Sequence, residues 1–194
     1  MTHRAQLLEK AQCLSMTAEP SSEMPPHLLP AGMFHLRAIG ADDDWRLEQE
    51  LSQDADVVKW TFYPDRMDES AARARVRQHQ SRAEQRMAQR YVILDQDDRW
   101  LGTCGLGNLQ GEAPEVFDAL LSRSRGRGAA TAATKALTVW ALANGRSQVA
   151  LVTIDGNGPS DEVARRAGFR PVQHVEGEHR GQPAEMTRWF RSVD

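Results

Sequence analysis

From Phe34 onward the chain sets apolar against polar positions with the periods of strands and helices, and the pattern predicts a sheet with helices between its strands. Phe34, Leu36 and Ala38 alternate with His35, Arg37 and Ile39 as a first strand, which ends at Gly40. The triplet Asp42, Asp43 and Asp44 then offers an N-cap and first-turn carboxylates to a helix carrying Trp45, Leu47 and Leu51. The run from Val57 and Trp60 to Pro64 closes this region, and residues 69–90 follow as a Pro- and Gly-free, Arg-rich helical stretch. Glu69, Glu84 and several glutamines interrupt its basic residues, so it reads as a solvated helix covering the sheet and is assigned no chemistry.

Residues 91–94 and 100–106 read as strands joined by the polar turn 96–98, a hairpin whose second strand is thinned by Gly102, Gly105 and Gly107. After a loop at 110–114, residues 115–121 form another strand, which runs into Ser122, Arg123, Ser124, Arg125, Gly126, Arg127, Gly128, Ala129 and Ala130. The helix that follows has an apolar face of Ala130, Ala133, Leu137, Trp140 and Ala141, and Asn144 with Gly145 ends it. Residues 148–154 are nearly continuously apolar, as expected of a strand buried on both faces. Residues 1–32 differ. A short helical stretch at 5–14 runs into a segment holding Pro20, Pro25, Pro26 and Pro30, which predicts an N-terminal arm, with the domain covering 33–194.

A chain of 194 residues, 40% hydrophobic and 26% charged, suits one domain with a proper core. Its net charge of −3 gives no global attraction to nucleic acid or to an anionic membrane, so any basic site is local. Cys13 and Cys104 have no zinc or disulfide-scaffold spacing and are expected to be free thiols. His35, His79, His174 and His179 do not cluster either, so no metal is assigned. No apolar run is long enough to cross a bilayer and the N-terminus lacks a signal-peptide core; a cytoplasmic protein is the expectation.

The segment 122–130 carries the chemistry. Strand, Gly-rich turn and helix in succession let backbone N–H groups converge at the positive end of the helix, where a phosphate is held by amides and dipole together. Arg123, Arg125 and Arg127 add charge at the same turn. A P-loop needs Lys and then Ser or Thr after the second glycine, where Ala129 and Ala130 stand, and a dinucleotide fold needs Gly or Ala at position 131, which is Thr131.

The pattern (Gln or Arg)-x-x-Gly-x-(Gly or Ala), met by Arg123, Gly126 and Gly128, resembles the CoA pyrophosphate loop of GNAT acetyltransferases. Asn157, Ser160, Val163, Gly168 and Phe169, at the spacing Asn-x-x-Ser-x-x-Val-x-x-x-x-Gly-Phe, resemble the RimJ/RimL-type branch of that family, as do Val57, Trp60 and Pro64 upstream. The similarity spans the chain from Phe34 onward. It implies an α/β GNAT fold, with a mixed, mostly antiparallel sheet splayed at the CoA site and flanked by helices. It further implies acetyl-CoA as cosubstrate, a primary amine as acceptor, and main-chain donors between Leu120 and Ala130, Gly126, Gly128 and Ala129 among them, around the diphosphate.

Transfer from a thioester to an amine needs a neutral amine, a polarised carbonyl and an acid for the thiolate. Glu115, at the start of the strand leading to the loop, is the candidate base, directly or through water. Ser160 is the candidate acid, with Pro159 at the first helical position making Gly158 the expected cap and freeing the hydroxyl. Many GNAT enzymes use a tyrosine, but Tyr63 and Tyr91 both lie far upstream. Asn157 is expected to hold the pantetheine or local backbone, and the family's splayed strand frees backbone N–H at Leu120 or Leu121 for the carbonyl. His174, Glu176, Glu178, His179 and Arg180 read as a polar loop between the last two strands, which in this family borders the acceptor cleft; they are candidate substrate contacts, and a solvated hairpin is the preferred account.

Members acting on protein N-termini usually carry a Gly-Tyr-Trp-like run before the loop. Here Phe117, Asp118 and Ala119 replace it, so a ribosomal-protein acceptor does not follow; Asp118 either attracts a cationic amine or faces solvent. An α-amino group, with pKa about 8, is easier to deprotonate than a lysine at about 10.4, which favours α-amines or low-pKa small amines. A GNAT-fold module that binds CoA without turnover is the alternative, a nucleic-acid binder is weaker, and a homodimer is compatible with either enzyme or module.

Overall fold

A computed structural model describes residues 23–193; the helical stretch expected at 5–14, and Cys13 with it, lie outside the described residues. Eight strands form one sheet: β1 (Leu28–Ala31), β2 (Phe34–Ala38), β3 (Gln89–Leu94), β4 (Trp100–Gly107), β5 (Glu115–Leu120), β6 (Gln148–Ile154), β7 (Arg170–His179) and β8 (Gln182–Ser192). Their order is β1-β2-β3-β4-β5-β6-β8-β7, antiparallel throughout except between β5 and β6. The helices are α1 (Asp44–Gln53), α2 (Ala55–Trp60), α3 (Glu69–Glu84), α4 (Ala129–Ala143) and α5 (Gly158–Arg166). None among the described residues is long and apolar enough to cross a membrane.

Strand alternation sends side chains to two cores. Leu36, Tyr91, Ile93, Cys104 and Val116 meet Ala133, Leu137 and Ala141 of α4 on one face. On the other, Ile39, Val92, Leu94, Ala119 and Leu121 meet Leu47, Leu51, Val57 and Val76 of the helices α1 to α3. Cys104 is a free thiol, fully buried.

Four expectations are corrected. The arm expected to reach residue 32 gives way earlier: β1 pairs with β2, Ala38 N–H donates to His27 O at 2.7 Å, and the Tyr91 hydroxyl donates to Pro26 O at 2.7 Å. A proline is tolerated there because β1 is an edge strand. Asp43 is the N-cap residue of α1 and Asp44 is its first-turn carboxylate, as expected, but no side chain of the triplet makes a capping hydrogen bond. Asp44, fully buried, is the first helical residue, and it accepts from Gly40 and Ala41 N–H at 2.7 and 2.9 Å while pairing with Arg37 at 2.7 Å. The helix predicted to reach residue 90 stops at Glu84, where Arg86 takes a left-handed φ of 57° and Met87 N–H returns to Arg82 O. No glycine marks that stop. The polar stretch 174–179 is strand β7, and only Arg180 and Gly181 turn the hairpin.

Candidate active site

The parallel ladder between β5 and β6 has two pairs, Glu115 with Ala150 and Val116 with Leu151. Beyond them the strands part, and a cavity of about 920 Å³ opens between them. One end is lined by Leu120, Gly126, Gly128, Ala129 and Ala130, the floor by Glu115 and Phe117, the α5 side by Asn157 and Ser160, and the far end by Tyr63, Arg75, His79 and Arg90.

At the first end β5 passes through a 3-10 turn at Ser122–Ser124 into α4. Gly126 and Gly128 have φ of 76° and 82°, and Gly128 is the cap residue. A Cβ on either would meet nothing within 4 Å, so backbone conformation, and not crowding, asks for glycine here. The first bond into the helix runs from Ala132 N–H to Gly128 O, which leaves the N–H groups of Ala129, Ala130 and Thr131 without intrahelical acceptors at the positive end of the dipole.

The arginines do not pool their charge there as expected. Arg123 pairs with Glu50, Arg125 with Asp56 at 2.7 Å, and Arg127 with Asp95 at 3.2 Å. Only Arg125 of the three lines the cavity; Arg123 and Arg127 border a separate depression beside Asp95 and Trp100. Leu121 is also corrected. Its N–H donates to Leu101 O at 3.0 Å and its side chain is buried in the core. Because N–H groups alternate along a strand, Leu120 points the other way, into the splay, where its carbonyl receives Arg125.

Asn157, not Gly158, caps α5: its side-chain oxygen accepts from Ser160 N–H at 3.4 Å, and its carbonyl accepts from the same group at 3.0 Å. Among the described residues the Ser160 hydroxyl has no hydrogen-bond partner, and it faces the cavity. Burial raises the Glu115 carboxyl above its usual range, against the pull of Arg188. Asp118 projects from the opposite face of β5, beside its cross-strand partner Cys104. Burial pushes it up to about 6, and Arg125 works against this.

The far end is a network of side chains. Glu48, fully buried on α1, accepts from Arg75 Nε at 2.6 Å and from the Tyr63 hydroxyl at 3.1 Å. Arg90 donates to the Tyr63 hydroxyl at 2.9 Å and to Thr103 at 3.0 Å. Arg75 lies 4.4 Å over the Tyr63 ring, and Arg90 lies 4.7 Å over the Phe117 ring. Gly105 stands between the positions of Arg90 and Phe117, and a Cβ there would fall 2.6 Å from that ring. Burial would raise Glu48, but His79, Arg90 and Arg75 outweigh it and hold the carboxyl at about 2. Burial pushes Tyr63 up to about 12 and His79 down to about 4. His79 Nε2, at 3.8 Å from Glu48, is beyond hydrogen-bond length.

Residues 34–170 match the family model described as Acetyltransferase (GNAT) domain. The chain belongs to the GNAT acetyltransferase family. No curated protein matches the sequence closely enough to count as a relative. Among solved GNAT-fold structures, a RimL ribosomal L7/L12 alpha-N-protein acetyltransferase in complex with coenzyme A is 20% identical, with TM-score 0.77, over 86% of this chain and 98% of that one. The Salmonella typhimurium acetyltransferase that modifies the N-terminal serine of L7/L12 is 17% identical, with TM-score 0.76, over 86% and 99%. The microcin C7 self-immunity acetyltransferase MccE, in complex with acetyl-CoA and AMP, is 15% identical, with TM-score 0.74, over 86% and 99%.

Within this GNAT fold, Glu115, Leu120, Arg125, Gly126, Gly128, Ala129, Ala130, Asn157 and Ser160 come together on one cavity, and Leu121, Arg123 and Arg127 do not. Tyr63, far upstream in sequence, and Arg75, His79 and Arg90 of the stretch 69–90, which the sequence marks with no chemistry, line the same cavity. The one signal available was periodicity: Ala72, Val76 and His79 form the buried stripe of α3, and a histidine on such a stripe faces inward.

Proposed function

We propose that this GNAT chain transfers an acetyl group from acetyl-CoA to a primary amine by direct attack in a ternary complex. The observation that carries the reading is a single cavity bounded by the N–H groups at the start of α4, the opening of β5 from β6, and the side chains of Glu115 and Ser160. Helix-terminal amides suit a diphosphate, and the splay admits an extended pantetheine between two strands. Coenzyme A and acetyl-CoA complexes of the same fold support that choice of cosubstrate.

In this reading the amine loses a proton to Glu115, directly or through water, and its nitrogen attacks the thioester carbonyl carbon. The Leu120 N–H supports the carbonyl oxygen as charge builds on it. The C–S bond breaks, an amide forms, and the departing thiolate takes the Ser160 proton, which is free because Asn157 does the capping; the proton that the nitrogen gave to Glu115 then passes through water to the serine oxygen, restoring both groups. A carboxyl raised by burial is a stronger base than an exposed one, which suits Glu115 to the role.

The test is release of free CoA from acetyl-CoA with a panel of peptides and small amines, alongside melting of the protein with and without acetyl-CoA. Turnover with at least one amine and a raised melting temperature are expected. Stabilisation without turnover on any amine would leave a CoA-binding module in place of an enzyme.

A further inference from the structure

The far end of the cavity carries more positive charge than the fold consumes. Arg75, Arg82 and Arg90 all line it, and the one buried carboxylate behind them, Glu48, is shared by Arg75 at 2.6 Å and Arg90 at 3.9 Å. Arg82, exposed on the last turn of α3, has no acidic partner among the described residues. Two polar atoms at this end are buried and unpartnered: Nε of Arg90 and Nε2 of His79, whose side chain is only 9% exposed. Buried donors left open beside a cavity are where a ligand's acceptor atoms complete the hydrogen bonding.

Their placement relative to the reacting centre is fixed by register. Arg90 pairs with Gly105, Gly105 with Phe117, and Glu115 is two residues before Phe117 on the same face of the sheet. Arg90 and Glu115 therefore start about 12 Å apart, two strand spacings across and two residues along, and reach into one space. The missing side chain at Gly105 keeps that space open.

Resting on the acetyltransferase reading above, we propose that the amine acceptor carries a carboxylate within a few bonds of its reacting nitrogen, held by Arg82, Arg90 and the N–H tautomer of His79. A guanidinium pair is suited to a planar carboxylate. A purely cationic acceptor such as a polyamine would instead place a second ammonium against these guanidinium groups.

The experiment compares kcat/KM for acceptors matched in all but the carboxylate: an α-amino acid against its carboxamide, and a peptide with Asp at its second position against the same peptide with Asn. The first pair tests a small acid and the second an acidic peptide. A preference of about tenfold or more for the acid in either pair, narrowed severalfold in Arg82→Gln, is the expected result. Equal rates in both pairs, or a preference for the neutral form, overturn the proposal. Calorimetric titration of the acetyl-CoA-loaded protein with succinate and with succinamide gives a readout independent of turnover. Succinate binding that Arg82→Gln weakens supports the anion site even if no amine releases CoA, in which case the transferase reading alone falls. Absence of succinate binding together with no acid preference removes the site.

Discussion

At the end of the cavity where β5 runs into α4, the polar groups are main-chain N–H donors, presented by two left-handed glycines within a few consecutive residues. At the opposite end they are side chains drawn from α1, α3, β3, β4 and the segment after α2, meeting around the buried Glu48. The first end is a local object, complete once the chain has made one turn. The second exists only after five elements have docked, and its charges are tolerable because Arg75 and Arg90 share the buried carboxylate of Glu48. The contrast teaches where function can be built without touching the core, and where a single replacement reaches stability and substrate choice together.

The largest effect that separates the two ends is expected between them, at Glu115. Glu115→Gln should lower kcat by about 10²–10⁴ while leaving stabilisation by acetyl-CoA unchanged. The acid limb of kcat/KM should lie above the ordinary carboxylate value of 4.5, because the base works only when deprotonated and burial raises its pKa. Next comes Glu48→Ala, which strands Arg75 and Arg90 and should cost about 3–5 kcal/mol in urea unfolding.

The same carboxylate fixes an acid window. Its folded pKa of about 2 lies below its ordinary 4.5, so protons favour the unfolded chain, and its contribution is complete above pH 4.5 and lost as pH falls toward 2. Glu48→Ala should flatten the stability profile there.

A smaller effect belongs to the backbone end. Gly128→Val forces a branched side chain into φ of 82° and should cost about 1–2 kcal/mol together with most of the protection by acetyl-CoA. Smallest is Arg123→Gln, which loses an exposed pair with Glu50 and should change stability by less than about 1 kcal/mol with little effect on acetyl-CoA affinity. A large loss of affinity in that variant would return Arg123 to the diphosphate end and break the contrast between the two ends.

Legibility in the sequence follows the same division. Period-two alternation located β2, a nearly continuous apolar run located β6, and Gly126 with Gly128 marked the turn into α4, because local conformation is written in local residue types. The pairing of Leu28–Ala31 was hidden by Pro30 and by the prolines shortly before it, which say nothing about what an edge strand lies beside. The partners of Arg123, Arg125 and Arg127 were equally hidden, since Glu50, Asp56 and Asp95 lie between 32 and 73 residues away along the chain. Tyr63 illustrates the general limit: distance in sequence was taken for distance in space, and the turn between α2 and α3 removes it.

The two-rung junction between β5 and β6 divides the sheet into a five-strand and a three-strand half, which are also tied through α4, α5 and the hydrogen bonds from Arg180 to the carbonyls of Val58 and Tyr63. That seam is the shortest ladder in the sheet, and its amide protons should exchange sooner than those of the other interior ladders. A nucleotide thioester wedged along it would act as mortar, so acetyl-CoA should slow exchange at 117–120 and 152–154 more than anywhere else in the sheet.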